Sequence, residues 1–328
     1  MDIAAENRKT ANINGIDLVK FICSLLVAAI HIYPFRDFPP EVGTPLNFFL
    51  QSYLARVAVP FFFICTGFFL FGKAGLTPPR GKSVLHTCLR LLWMYLIWRL
   101  LFPASYRHLW YLTAAAAASA LVYLCAKLGM KLPQLCILAL ALYLIGVSGD
   151  AYRGLTRPLE HTALLGPLIR GYREVFRYTR NGLFMGFPFV LTGAVLAIHP
   201  VRLSRRVNVM GLCAVMAGLF AEAALLHHFQ IPADSNMYLL LPPAAVLLFC
   251  LARDLKLPDG PLWPRLRKLS VLVYCLHMPV FTGLRALGGP GLNPWLFPLT
   301  LLCSLALGQL LLTLSRFRWL RWLRLLYS

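Results

Sequence analysis

Ten apolar stretches, divided by short polar connections, occupy most of the chain: 16–34, 46–72, 88–102, 109–127, 133–148, 183–199, 207–227, 236–252, 269–286 and 295–315. A helix needs roughly 17–25 such residues to cross a hydrocarbon layer of about 30 Å. Most of the stretches meet that length, and the third, fifth and sixth are short. The pattern predicts an all-α polytopic integral membrane protein, about ten transmembrane helices around a polar core. No linker or shift of composition divides the chain, so residues 1–328 read as a single membrane-embedded domain. No internal repeat is visible, which weighs against an inverted-repeat transporter.

Composition agrees with this pattern. Hydrophobic residues make up 59% of the chain and charged residues only 13%. The net charge of +20 does not signal nucleic acid, because the basic residues fall between apolar blocks rather than on one soluble face. Instead they set orientation. Lys73, Arg80, Lys82, Lys127, Arg202, Arg205, Arg253, Arg265, Lys268 and Arg316 share one side with Arg8 and Lys9, and the positive-inside rule makes that side the cytoplasm. Both termini are then cytoplasmic, in a multi-pass protein of the bacterial cytoplasmic membrane. The loop 149–182 is the long outer connection, and its six arginines oppose the rule. No cleavable signal peptide is expected, because the first apolar stretch carries a lysine and no small-residue cleavage site follows it. All nine cysteines lie in or beside apolar segments without a CxxC pair, so they read as small core residues. The tail SRFRWLRWLRLLYS alternates arginine with tryptophan and leucine. It fits either an interfacial amphipathic end attracted to anionic lipid or a snorkelling basic flank.

The first span contains residues that hydrocarbon disfavours. In IDLVKFICSLLVAAIHIYP, Asp17, Lys20, Ser24 and His31 share one face. At roughly 100° per residue, Lys20 and His31 end only about 20° apart in rotation and about 16 Å apart in height. Ionisable groups inside a span mark a functional site or a water-filled path. A histidine there can serve as a general base near neutral pH, or can simply pack against a neighbouring helix. Arg56 in the second span and Glu222 in the seventh also need partners, and Arg56 or the site histidines are candidates for Glu222. His277 precedes Pro279, which kinks its helix; it reads either as packing at the kink or as a second imidazole near His31. No P-loop, dinucleotide fingerprint, HExxH or GxSxG occurs. His227-His228 lacks ligand-spaced partners, so no metal site is expected.

A basic residue and a histidine spaced in this way resemble the first-helix motif of the acyltransferase-3 family, membrane enzymes that O-acylate sugars, lipids and other molecules. ARVAVPFFFICTGFFLF (55–71) resembles that family's VPFFF–SGF segment, with Thr66 in place of the usual serine. KLSVLVYCLHMPVF (268–281) resembles its S-x-x-x-Y-x-x-H-x-P segment. Within the family, GIDLVKFICSLLVAAIH (15–31), TRNGLFMGFPFVLTG (179–193) and DSNMYLLLP (234–242) are similar to the membrane domain of the VanT serine racemases. The chain departs from the family where an Arg-x-x-Arg pair opens the third span: Arg90 fits the second position, but Thr87 stands at the first. After the tenth span no racemase or esterase-like domain is expected.

The resemblance implies O-acyl transfer, acetyl above all, from cytoplasmic acyl-CoA to a hydroxyl of a cell-envelope glycan, lipid or small molecule. His31 would be the base, with Lys20 and Asp17 supporting it or lining the donor channel. Arg90, His86 and Lys82, with Arg80, would hold the donor's phosphates. Arg56, Glu222, Asp234 and Asn181 would touch the acceptor. Membrane lipid, acyl-CoA and the acceptor are the expected partners, with no nucleic acid. A carrier for a small amino acid such as serine is the alternative.

Overall fold

A computed structural model describes residues 13–72, 81–288 and 290–327. Ten helices form the bundle. In chain order they are α1 (Asn14–Ile32), α2 (Pro40–Phe71), α3 (Gly81–Leu101), α4 (Arg107–Lys127), α5 (Leu132–Gly149), α6 (Gly182–Ile198), α7 (Arg205–His228), α8 (Leu241–Asp254), α9 (Leu262–Gly288) and α10 (Asn293–Leu314). Eight are long and apolar enough to cross a membrane, and α6 and α8 are shorter. No strand occurs among the described residues. The expected ten segments are therefore present. The main boundary changes are at α3 and α9, which start at Gly81 and Leu262 rather than 88 and 269 because their first two turns are too polar to register as apolar.

Sequence explains the layering. The run PFFFICTGFF in α2 is apolar on every side, so it has no solvent or lipid face to prefer and sits at the centre. Phe61, Phe63, Ile64 and Cys65 are fully or almost fully buried. Its main partner is α6, and the contact depends on glycine. A Cβ on Gly67 would collide with the Val190 carbonyl, and one on Gly193 with the Ile64 carbonyl. Small residues thus let the two backbones cross in direct contact, as membrane helices require when no hydrophobic force distinguishes neighbour from lipid. Helices α1, α4, α8 and α9 complete the inner group. Helices α3, α5, α7 and α10 lie outside, where Leu100, Ile137, Met210 and Leu302 project outward. Apolar side chains on an outer surface fit lipid as their solvent.

Two irregular stretches shape the site. Helix α2 passes through a π turn at Phe48–Tyr53 and a 3-10 turn at Leu54–Val57 before its regular part. That change of winding aims Arg56 inward. Beyond α5, residues 150–181 form the long loop, with a short helix at Gly166–Val175. Glu160 accepts from Arg153 at 2.9 Å and from Arg173 at 2.8 Å, so part of the loop's positive charge is balanced within the loop. The tail does not trail free. Trp98 Nε1 donates to the Leu326 carbonyl at 2.9 Å, and the Ser315 and Tyr327 hydroxyls lie 2.8 Å apart. The tail is thus wedged against the far end of α3 and the foot of α10. All nine cysteines are free thiols. Arg8, Lys9, Lys73 and Arg80 lie outside the described residues.

Candidate functional site

The polar stripe of α1 serves two different cavities. Near the Asn14 end, a space of about 640 Å³ is lined by Lys20, Thr66, Thr87, Arg90, Arg267 and Lys268, with Tyr111, Tyr274 and Tyr327. Farther along, a space of about 40 Å³ is lined by His31, Arg56, His108, Arg180 and Asn236. Tyr111 and Tyr274 line both, their rings edge to face at 6.0 Å. They form the shared wall. Thr66 Oγ1 lies 3.0 Å from the Tyr111 hydroxyl and bonds back to the Phe62 carbonyl, so the residue replacing the family's usual serine helps fix that wall.

Three imidazoles meet at the small cavity. His31 stacks on His277 at 5.5 Å between ring centres, and His108 stands edge-on to His277 at 4.7 Å. Pro279 inside α9 helps build this cluster. Pro279 has no N–H to give the Cys275 carbonyl, the acceptor a regular helix would use. His108 Nε2 lies 3.3 Å from that carbonyl instead. A carbonyl only accepts, so Nε2 must carry the proton and Nδ1 of His108 keeps the lone pair. By the same argument His277 Nδ1, 3.1 Å from the Val273 carbonyl, is protonated and its Nε2 is the basic nitrogen. Among the described residues, neither His108 Nδ1 nor His277 Nε2 has a hydrogen-bond partner. Tyr274 locks the arrangement by donating to the His108 carbonyl at 2.6 Å. The sequence reading missed His108. Its local signal is only an Arg-His pair before an apolar run, and its partners lie in the first and ninth helices.

A second network fixes the loop side of the small cavity. Asp150 accepts from the Asn236 and Met237 backbone N–H groups at 2.8 and 3.1 Å, and from Thr179 at 3.3 Å. Asn236 Oδ1 then accepts from Arg56 at 2.6 Å. Burial, reinforced by the charge of Asp234, raises the Asp150 carboxyl to about 6 despite its backbone donors and nearby Arg56. Arg180, which also lines the cavity, pairs with Asp234 at 3.5 Å.

Several expected roles change. Asp17 does not hold Lys20: its carboxylate is taken by Arg267 of α9 through bonds of 2.8 and 2.6 Å. Lys20 instead reaches over the Phe69 ring at 4.9 Å and lines the large cavity. Glu222 meets neither Arg56 nor a histidine. It accepts from the Tyr152 hydroxyl at 2.8 Å and from Leu239 and Leu240 N–H at 2.6 and 2.9 Å, capping the start of α8. The Asn181 side chain accepts from Leu183 and Phe184 N–H and caps α6. Of the proposed cationic cluster, Arg90 lines the large cavity, with Ser83 and Thr87 on the same face of α3. Lys82 and His86 are exposed and do not line it. Among the described residues, no group of three or more histidine, cysteine or acidic side chains could hold a metal ion.

The family model described as an acyltransferase domain matches residues 13–107 and 100–313. Two amino-acid racemases of Enterococcus faecalis are 29% and 31% identical over 92% and 74% of this chain. A serine/alanine racemase of Enterococcus gallinarum is 29% identical over 82% of it. The chain spans under half of each relative: 46%, 36% and 41% of their lengths. No solved structure matches. With the family model running from the first helix to the last, the chain belongs to the acyltransferase-3 family of membrane acyltransferases.

Proposed function

We propose that this protein moves an acyl group, acetyl in the first instance, from cytoplasmic acyl-CoA to a hydroxyl of a cell-envelope glycan, lipid or small molecule. The observation that carries this reading is the pair of cavities meeting at Tyr111 and Tyr274, one broad and cationic, the other small and lined by imidazoles. A polyphosphate donor suits Lys20, Arg90 and Lys268, since guanidinium and ammonium groups form charge-assisted bonds to phosphate. The thioester would lie at the tyrosine wall. His31 takes the proton of the acceptor hydroxyl as its oxygen attacks the thioester carbonyl. The carbon–sulfur bond breaks, and the proton passes to the departing thiolate, giving ester and free CoA. His277 and His108 position the His31 ring, and Arg56 with Asn236 forms the acceptor side of the cavity.

In this reading both termini are cytoplasmic and the loop 150–181 faces outward. Single cysteines at Thr162 and Trp319, in a background without reactive thiols, should then label from opposite faces with an impermeant reagent. Labelling from one face would mean that the span count is wrong by one and that the donor and acceptor sides must be reassigned. The reaction itself is tested by calorimetry of CoA binding to the purified chain and by thiol release from acetyl-CoA in the presence of envelope extract. Binding without acceptor-dependent thiol release would argue against transfer.

The serine/alanine racemase among the relatives favours a second reading, a carrier for a small amino acid such as serine. A carrier has no need for a CoA site. Serine uptake into vesicles holding the pure protein, with no CoA affinity, would replace the first reading with this one.

A further inference from the structure

A third cavity lies at the foot of the bundle, outside the proposed acyl-transfer site. It has a volume of about 590 Å³ and opens between the start of α9, the end of α10 and the folded tail. Arg265, Lys268 and Arg316 line it, with Arg324 beside them, and among the described residues no acidic side chain lines it. Its roof is formed partly by Tyr327, over whose ring Lys268 sits at 5.9 Å. Arg265 is steadied by a 2.6 Å bond to Gln309 of α10. Arg265, Lys268 and Arg316 repel one another across one recess, and an anion entering it relieves that repulsion.

The tail supplies an independent observation. Its helical turn, Arg318–Leu326, buries Leu323 and Leu326 against the protein. The other face exposes Trp319, Trp322 and Leu325, interspersed with Arg318 and Arg321. Tryptophan beside arginine suits the boundary between headgroup and hydrocarbon, where the ring is half apolar and the cation meets phosphate. The cavity and this face lie on the same short segment. A molecule filling both must have a phosphate at one end and hydrocarbon at the other. We infer that the cavity between α9, α10 and the tail binds the headgroup of an anionic phospholipid, with its acyl chains running along the exposed Leu310 side of α10. Lys268 and Tyr327 line both this cavity and the large one, so the bound lipid would brace one wall of the donor site.

The test uses the full chain in detergent with phosphatidylglycerol, phosphatidylcholine, inorganic phosphate and CoA as separate probes. Phosphatidylglycerol should raise the melting temperature, whereas phosphatidylcholine and inorganic phosphate should not. The double variant R265Q/R316Q should bind phosphatidylglycerol about 25-fold more weakly, roughly fivefold for each cation removed. The charge-preserving R265K/R316K should bind it nearly as well as the wild type. Equal stabilisation by phosphatidylcholine, or unchanged affinity in the glutamine variant, would overturn the proposal. Displacement of phosphatidylglycerol by CoA would also overturn it, by assigning the cavity to the donor. Should the variants fail to fold, photoactivatable phosphatidylglycerol on the wild type decides. Adducts on 261–268 or 309–327 support the site, and adducts confined to other segments refute it. None of these readouts involves acyl transfer, so this inference and the proposed function can fail separately.

Discussion

The large and small cavities share a wall but are built in opposite ways. In the large one Arg267 is fixed by Asp17, but two other cations are on long side chains that the protein holds loosely: Lys20 rests on a phenyl ring, and Arg90 is exposed. In the small one the polar groups are locked. Carbonyls orient His108 and His277, Asn236 holds Arg56, and Asp150 holds Asn236. Loose cations tolerate a large, flexible polyanion, whereas fixed dipoles lower a barrier only if they need not reorganise during reaction. Under the proposed function, binding belongs to the first space and chemistry to the second.

The strongest way to break that assignment is His31→Ala. Loss of a general base should reduce transfer by about 10²–10⁴-fold. CoA affinity by calorimetry should stay as in the wild type, and the protein should still elute as one species. A His31→Ala protein that retains transfer would remove the chemistry from the small cavity.

The rigidity of the small cavity can be tested through Asp150. Its folded carboxyl is raised from 3.8 to about 6, mainly by burial. A raised acid contributes stability that is complete below about pH 4 and lost as the pH climbs through about 6. The wild-type melting temperature should therefore fall between those values relative to Asp150→Asn, which has nothing to titrate there. The difference is at most about 3 kcal/mol, from a shift of roughly two units at 1.36 kcal/mol each. Parallel profiles for the two proteins would show that Asp150 does not titrate in this window.

Much of the fold was readable from the sequence because a membrane leaves little freedom: apolar runs of the right length must become helices. The stripe on α1 was readable for a similar reason, since helical period alone puts Lys20 and His31 on one face. Pairings were not. Asp17 and Arg267 are 250 residues apart, and Asp17 and Lys20 share a helix face, which made the nearer lysine the natural guess. Glu222 finds backbone N–H groups rather than a charge, and the start of α8 that offers them has no sequence signature for it. His108 is fixed by a carbonyl freed by a proline 171 residues later, a relation that only the assembled bundle displays.

Arg90→Ala tests the large cavity in the converse way to His31→Ala. It should weaken CoA binding by roughly 1.5–3 kcal/mol if a charged bond to phosphate is lost. With CoA saturating, turnover should be close to that of the wild type, because the small cavity is untouched. Unchanged affinity by calorimetry would place the phosphates elsewhere.

The smallest expected effect concerns the position where this chain departs from its family. Thr87 lines the large cavity one helical turn before Arg90, on the same face of α3. An arginine there would add a cation to a space that already tolerates several and that is too open to force a single geometry. Thr87→Arg should therefore tighten CoA binding by less than about 1 kcal/mol, the range of a partly solvated ion pair, and the gain should shrink as salt is raised. A much larger gain would mean that the cavity holds its donor as rigidly as the small one holds its histidines. A loss of affinity would mean that the space beside Thr87 is needed by the uncharged part of the donor. Either result would redraw the boundary between loose binding and fixed chemistry on which the comparison rests.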